Sequence, residues 1–229
     1  MFGASTNELD VCPGWADPVA DAQAVFRMVL LAMSFPGRIQ CLPSRVAATM
    51  GVPQVAAPPA WPTALAAVSL CLMDADTPLY LHGTLDQAGV RRWLKFHAAA
   101  SVSDEPGAAA FWLARGGELA VLPWDAMVLG TDEAPQLGAT LCVEVDALAD
   151  GLAAELPATA SDPLALSLRG PGIAVDPRAT RSLAVAGLPR DMWSRREAMV
   201  EAFPRGFDLI LTCGTRLAAL PRTTRVELA

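Results

Sequence analysis

Lysine is almost missing from this chain. Lys95 is the only one among 17 basic residues; every other basic residue is an arginine. A Schiff base therefore has a single candidate nitrogen, and no Gly-rich loop ends in lysine, which excludes the phosphate-binding loop of ATPases. Cysteine is sparse and scattered: Cys12, Cys41, Cys71, Cys142 and Cys213 are odd in number and form no C-x-x-C pair. That pattern speaks against a disulfide framework and reads as reduced thiols in the cytoplasm. The two histidines, His82 and His97, do not stand at ligand spacing on one helix, so no metal centre is expected. The start, "MFGASTNELD", lacks the basic region and apolar core of a signal peptide. Residues 46–73 carry no charge, but Pro53, Pro58, Pro59 and Pro62 interrupt them. The proline-free remainder is too short to cross a bilayer, and no membrane span is expected.

What is present is core. Apolar residues make up 53% of the chain and charged ones 18%, the balance of a globular protein. The length suits one domain over residues 1–229, with residues 1–16 as an N-terminal extension. The net charge of −7 is unevenly spread: residues 1–168 carry −11 and residues 169–229 carry +4. An acidic chain is a poor partner for nucleic acid, whose binding depends on neutralising many phosphates. The arginine-rich final quarter can hold a local site for phosphate or carboxylate, or it reflects a bias of Arg over Lys in GC-rich coding.

Asp17-Pro18 is a helix start, followed by Ala22, Val25, Phe26, Val29, Leu30 and Met33 as one apolar stripe that Pro36-Gly37 ends. Arg27 lies off its centre. Further helices are expected over residues 62–73, 85–98 and 190–203. Strands are expected at "PLYLH", "AFWLA", "ATLCVEV", "LALSLR" and in the closing meander "FDLILTCGTRLAALPRTTRVEL". Helices and strands alternate first and strands cluster at the end, which gives an α/β fold with a mixed sheet.

Several motifs invite chemistry. "LRGPGI" resembles the start of a dinucleotide fingerprint, but Val175 replaces the third Gly. Cys213 with His97 would make a nucleophile dyad, whereas a cysteine ending an apolar strand reads as buried and inert. Arg196 falls inside the stripe Met192, Trp193, Met199, Val200 and Phe203, where it snorkels to water, pairs internally or faces a partner. In "PRTT", Pro221 places Arg222, Thr223 and Thr224 at a sheet edge or bend.

The order of the motifs "DPVADAQAVFRMVLLAMSFPG", "TPLYL", "LKFH", "LGTDEAPQLGATL", "LRGPGI" and "FPRGFDLILTCGTRLAALPRTTRVE" resembles the H subunit of the bacterial carbon–phosphorus lyase system, the PhnH family. The resemblance covers nearly the whole chain. It implies a three-layer α/β/α fold like the large domain of pyridoxal-phosphate-dependent transferases, without the cofactor. It also implies a subunit that works with the G, I, J and L subunits. That complex displaces adenine from ATP and installs an alkylphosphonate on ribose, yielding α-D-ribose 1-methylphosphonate 5-triphosphate from methylphosphonate. The solitary Lys95, in a helical pattern with ordinary surface explanations, agrees that no cofactor is needed. Arg222, Thr223 and Thr224 map onto the family's "PRTT", Arg27 onto "FR" and His97 onto "FH". These five residues are the candidates for binding an anion, such as phosphate, or a companion subunit. The competing expectation is that Arg222 ties the last strand to Asp208. A homodimer of the isolated chain is expected from its apolar content and from the helix over residues 193–203. The alternative function is an autonomous transferase-like enzyme on a small phosphorylated molecule.

Overall fold

The computed structural model describes residues 14–50, 61–173, 180–200 and 202–229. The first thirteen residues with Cys12, the Pro/Ala stretch at 51–60, Val175 and the side chain of Val200 lie outside the described residues. The elements are α1 (Pro18–Ser34), β1 (Gln40–Cys41), α2 (Ser44–Thr49), α3 (Thr63–Leu72), β2 (Leu79–Leu81), α4 (Ala88–Ala98), β3 (Phe111–Arg115), β4 (Thr140–Glu144), β5 (Ala147–Asp150), β6 (Leu164–Arg169), β7 (Arg181–Ala186), α5 (Arg190–Val200), β8 (Asp208–Cys213), β9 (Arg216–Leu220) and β10 (Arg225–Leu228).

A six-stranded sheet runs in the order β1-β9-β8-β4-β3-β2. Its members β2, β3, β4 and β8 are parallel, while β9 and β1 are added antiparallel. The parallel strands carry unbroken apolar runs because both of their faces are buried. Leu113, Cys142, Ile210, Leu217 and Ala219 face a layer built from α1, α2, α3 and α4. Trp112, Leu141, Val143, Leu209, Leu211 and Leu220 face the other way.

On that second face the expected α/β/α layering is corrected. The cover is a four-stranded antiparallel sheet, β10-β6-β7-β5, joined by Met192 and Trp193 of α5. Alternation explains it: along β6, Leu164, Leu166 and Leu168 are buried while the intervening residues are not, the pattern of a strand with one face on the core. The molecule is α/β with a mixed main sheet, helices on one side, and a second sheet with one helix on the other.

Helix α1 starts as its sequence dictates, with the Asp17 carboxylate accepting from the N–H groups of Val19 and Ala20 and Pro18 at the first turn. Its buried face differs from the expected stripe. Val25, Met28, Val29 and Ala32 turn inward together with Asp21, while Phe26 and Leu30 are 52% and 53% exposed. Asp21 is buried at little cost because its carboxylate accepts from Arg45 Nε at 2.8 Å and from the Asp17 N–H at 3.0 Å. A helix apolar over most of its circumference offers more than one stripe, and this pairing selects among them.

Candidate functional site

The turn between β9 and β10 gathers more of the sequence motifs than any other place described. It closes through the Thr224 N–H donating to the Pro221 carbonyl at 2.8 Å. Arg222 between them is held from three sides. Its Nη2 donates to Asp208 Oδ2 at 2.7 Å and its Nε to Oδ1 at 3.3 Å. Its Nη1 donates to the Pro135 carbonyl, and its backbone N–H donates to Asp208 Oδ1 at 2.7 Å. Both side chains are mostly buried, with 15% and 17% of their surface exposed. This two-point pairing is the fork geometry that arginine offers and lysine does not.

Glycines bring the surrounding chain this close. A Cβ at Gly138 would sit 2.4 Å from the Gly206 carbonyl oxygen and 2.8 Å from Arg222 Nη1. A Cβ at Gly170, whose φ is +135°, would sit 3.0 Å from the Thr223 oxygen. "LGATL", "PRGFD", "LRGPG" and "PRTT" therefore converge on one spot. "TPLYL" and "SFPG" lie on the same rim: the Pro78 carbonyl accepts from Ala110 N–H at 2.7 Å, and Gly37 N–H donates to the Ala219 carbonyl at 3.1 Å. This rim is where β3, β4 and β8 begin. The GPG glycines face the chain's own backbone, and β7 returns antiparallel to β6, so the strand–turn–helix of a dinucleotide site is not formed.

Beneath the turn lies Arg196, 1% exposed, which resolves its three readings toward internal contacts. It donates to the carbonyls of Phe207 at 3.1 Å, Leu220 at 2.9 Å and Pro221 at 2.6 Å, and its guanidinium lies 5.4 Å over the Phe207 ring. Burial brings its pKa down to about 10, so it keeps its proton at neutral pH. Thr224 is fully buried and Thr223 half-buried.

The other two candidates lie elsewhere. His97 on α4 stacks edge-on against Trp93 and Phe96, and a Cβ at Gly14, just before α1, would sit 2.6 Å from its Nδ1. Arg27 is exposed on the outer face of α1, beside Phe26 and Leu30. Arg27 on α1 and His97 on α4 belong to the helical layer, whereas Arg222, Thr223 and Thr224 sit on the β9–β10 turn. Sequence reasoning named Asp208 only as the structural partner of Arg222, the pairing found here, and passed over Gly138 and Gly206.

At the opposite rim, where the parallel strands end, Arg115, Glu144 and Thr212 stand side by side on β3, β4 and β8. Thr212 Oγ1 donates to Glu144 Oε2 at 2.5 Å and the Gly214 N–H to Oε1 at 3.0 Å. Burial raises the Glu144 carboxyl above its ordinary value, against the lowering by these two donors. The Cys213 thiol is also raised, by burial and then by the Glu144 charge, and it packs on the second sheet's side, away from the helix carrying His97. The dyad is not assembled, and a thiol raised in this way is a poor nucleophile. Among the described residues no group of three His, Cys, Asp or Glu side chains could hold a metal ion.

Comparison with known proteins fits the motif order. The model of the bacterial phosphonate metabolism protein family (PhnH) matches residues 13–227. This chain belongs to that family. It is 37% identical over 217 residues to alpha-D-ribose 1-methylphosphonate 5-triphosphate synthase subunit PhnH of Rhizobium meliloti (strain 1021), covering 93% of this chain and 94% of that protein. It is 32% identical over 212 residues to the putative C-P lyase subunit protein HtxG of Stutzerimonas stutzeri, covering 90% and 86%.

Proposed function

We propose that this chain is a subunit of the bacterial assembly that forms α-D-ribose 1-methylphosphonate 5-triphosphate from ATP and methylphosphonate, and that it assists without supplying the reacting groups. The observation that carries this reading is its alignment from end to end with a relative of that name, 93% of one chain on 94% of the other. The interior agrees with an assisting role. Arg222 is committed to Asp208, Glu144 to Thr212 and Gly214, and Arg196 to three backbone carbonyls. The partners in this reading are the G, I, J and L subunits, and the place is the cytoplasm; no helix among the described residues is long and apolar enough to cross a membrane. The kinship of the main sheet with the large domain of pyridoxal-phosphate-dependent transferases belongs to the same proposal, and the parallel strands with helices on one face favour it.

The test is reconstitution. The companion subunits are incubated with ATP and methylphosphonate with and without this chain, and release of adenine is followed. Release that depends on this chain, and is absent when it acts alone, is the expected result. Release by this chain alone would mean an autonomous enzyme, and full release without it would remove it from the reaction.

A further inference from the structure

Helix α1 leaves a second apolar face uncovered. Val19, Gln23, Phe26, Leu30 and Met33 follow at alternating steps of four and three, the spacing by which one helix receives the side chains of another. Val19 is 68% exposed, Phe26 52% and Leu30 53%, while Met33 at the end of the seam is partly buried against the helical-layer core. Between α1 and α3, Gln23, Phe26 and Leu30 border an open groove of about 570 Å³, lined also by Ala22, Arg27 and Cys71. Its floor is neutral: Cys71 donates to the Ala22 carbonyl at 3.5 Å, and burial pushes its thiol up to about 11.

Charge decides what fits. Arg27 is the only charged residue lining the groove, and among the described residues it has no ion pair. Acidic neighbours take up many other arginines of this chain, as Asp86 and Asp104 do Arg91. An apolar seam with one open cation is complementary to an apolar helix bearing a carboxylate. A second copy of the chain fits less well. Phe26 is the middle of the five seam positions, so a two-fold antiparallel pairing would put Phe26 on the axis and bring two Arg27 side chains together. Like charges in one seam oppose that pairing.

We propose that the α1 groove is the surface by which this chain docks a companion subunit, receiving an amphipathic helix whose apolar residues meet Phe26 and Leu30 and whose carboxylate meets Arg27. The inference rests on the subunit reading above and adds where and how the subunit is held.

The experiment co-expresses the G, I, J and L subunits with this chain carrying an affinity tag, as wild type, as Phe26→Asp/Leu30→Asp, as Arg27→Glu, and as Arg92→Glu on exposed α4. The wild type and Arg92→Glu retain the companions. The double variant loses them, and Arg27→Glu weakens retention by about tenfold, the effect of roughly 1.4 kcal/mol. Melting temperatures stay at the wild-type value, because these side chains are exposed; Arg27→Glu touches no core and decides the matter if the double variant folds poorly. Equal retention by all variants overturns the docking surface and leaves the subunit reading standing. No retention by the wild type overturns both. A wild-type dimer that the double variant splits, with companions still retained, assigns the groove to a second copy and overturns the proposed occupant.

Discussion

Two arginines meet at the β9–β10 turn, Arg222 within it and Arg196 from α5 beneath it, and burial makes them different tools. Arg222 is mostly buried and meets a carboxylate in two-point geometry, so its charge is answered by Asp208. Arg196 is fully buried and meets carbonyls, whose partial charges cover a guanidinium that has lost its water. Removing Arg222 leaves Asp208 unpaired in a mostly buried place. Arg222→Ala is therefore expected to cost on the order of 3 kcal/mol, a drop in Tm of roughly 6–12 °C for a chain of this size. Arg222→Lys should recover only part, since one ammonium cannot make both contacts. A melting curve for Arg222→Ala that overlays the wild type would show that the pair holds nothing together. Arg196→Met removes the charge but also the donors to Phe207, Leu220 and Pro221, and should cost about 1–3 kcal/mol for the carbonyls left unsatisfied. Urea unfolding measures it, and a variant as stable as the wild type would mean that water or other donors take over. Both readings of Arg222 were visible in sequence, because "GFD" and "PRTT" are too close along a meander to ignore. The Pro135 carbonyl and the Gly138 approach were not, since they arrive from distant chain.

Elements in this fold are fastened by single polar groups at their ends. The β8–β9 hairpin is tied to β4 through Glu144, which accepts from Thr212 and from the Gly214 N–H. Because burial raises its carboxyl above 4.5, the folded chain holds that proton more tightly than the unfolded chain. The associated stability is full below the unfolded value and is lost as pH rises through the folded one. Glu144→Gln should thus gain stability relative to the wild type as pH is raised from about 4.5 to neutral; parallel pH profiles for the two would contradict this. The end of β6 is fastened by packing instead. Gly172 has φ +81°, and a Cβ there would lie 2.2 Å from the Ser34 carbonyl oxygen at the close of α1. Gly172→Ala is expected to destabilise by at least about 1–3 kcal/mol, read from a denaturant midpoint; an unchanged midpoint would mean that this contact is not kept in solution. The long periodic helices and the apolar central strands were legible because length and burial on both faces leave strong patterns. β5 and β7 were not: "ALAD" and "RSLAVA" are short and rich in Ala and Ser, and it is antiparallel pairing, of β7 with both β6 and β5, that makes them strands. The orientation of α1 was misjudged because a buried Asp21 is favourable only once Arg45 is beside it.

For the whole molecule, the recognisable motifs lie mainly on one rim, and the chain's one lysine lies toward that same rim. Strands β2, β3, β4 and β8 begin there, and α4 runs back toward it from the end of β2. The Lys95 groove, of about 450 Å³, is lined by Arg91, Ser101 and Val102 among others, and the Ser101 carbonyl accepts from Leu79, the first residue of β2. In open α/β sheets, ligands sit beyond the carboxyl ends of the strands, where here Arg115, Glu144 and Thr212 stand. Lys95 is therefore exposed and at the wrong end of the sheet to form an internal Schiff base over that position. The purified chain, mixed with pyridoxal phosphate and freed of excess, is expected to keep no stoichiometric aldimine band, before or after borohydride. Weak labelling that scales with the reagent would be ordinary chemistry of an exposed amine. A one-to-one band that resists washing and vanishes in Lys95→Ala would place the cofactor in this chain and reverse the conclusion.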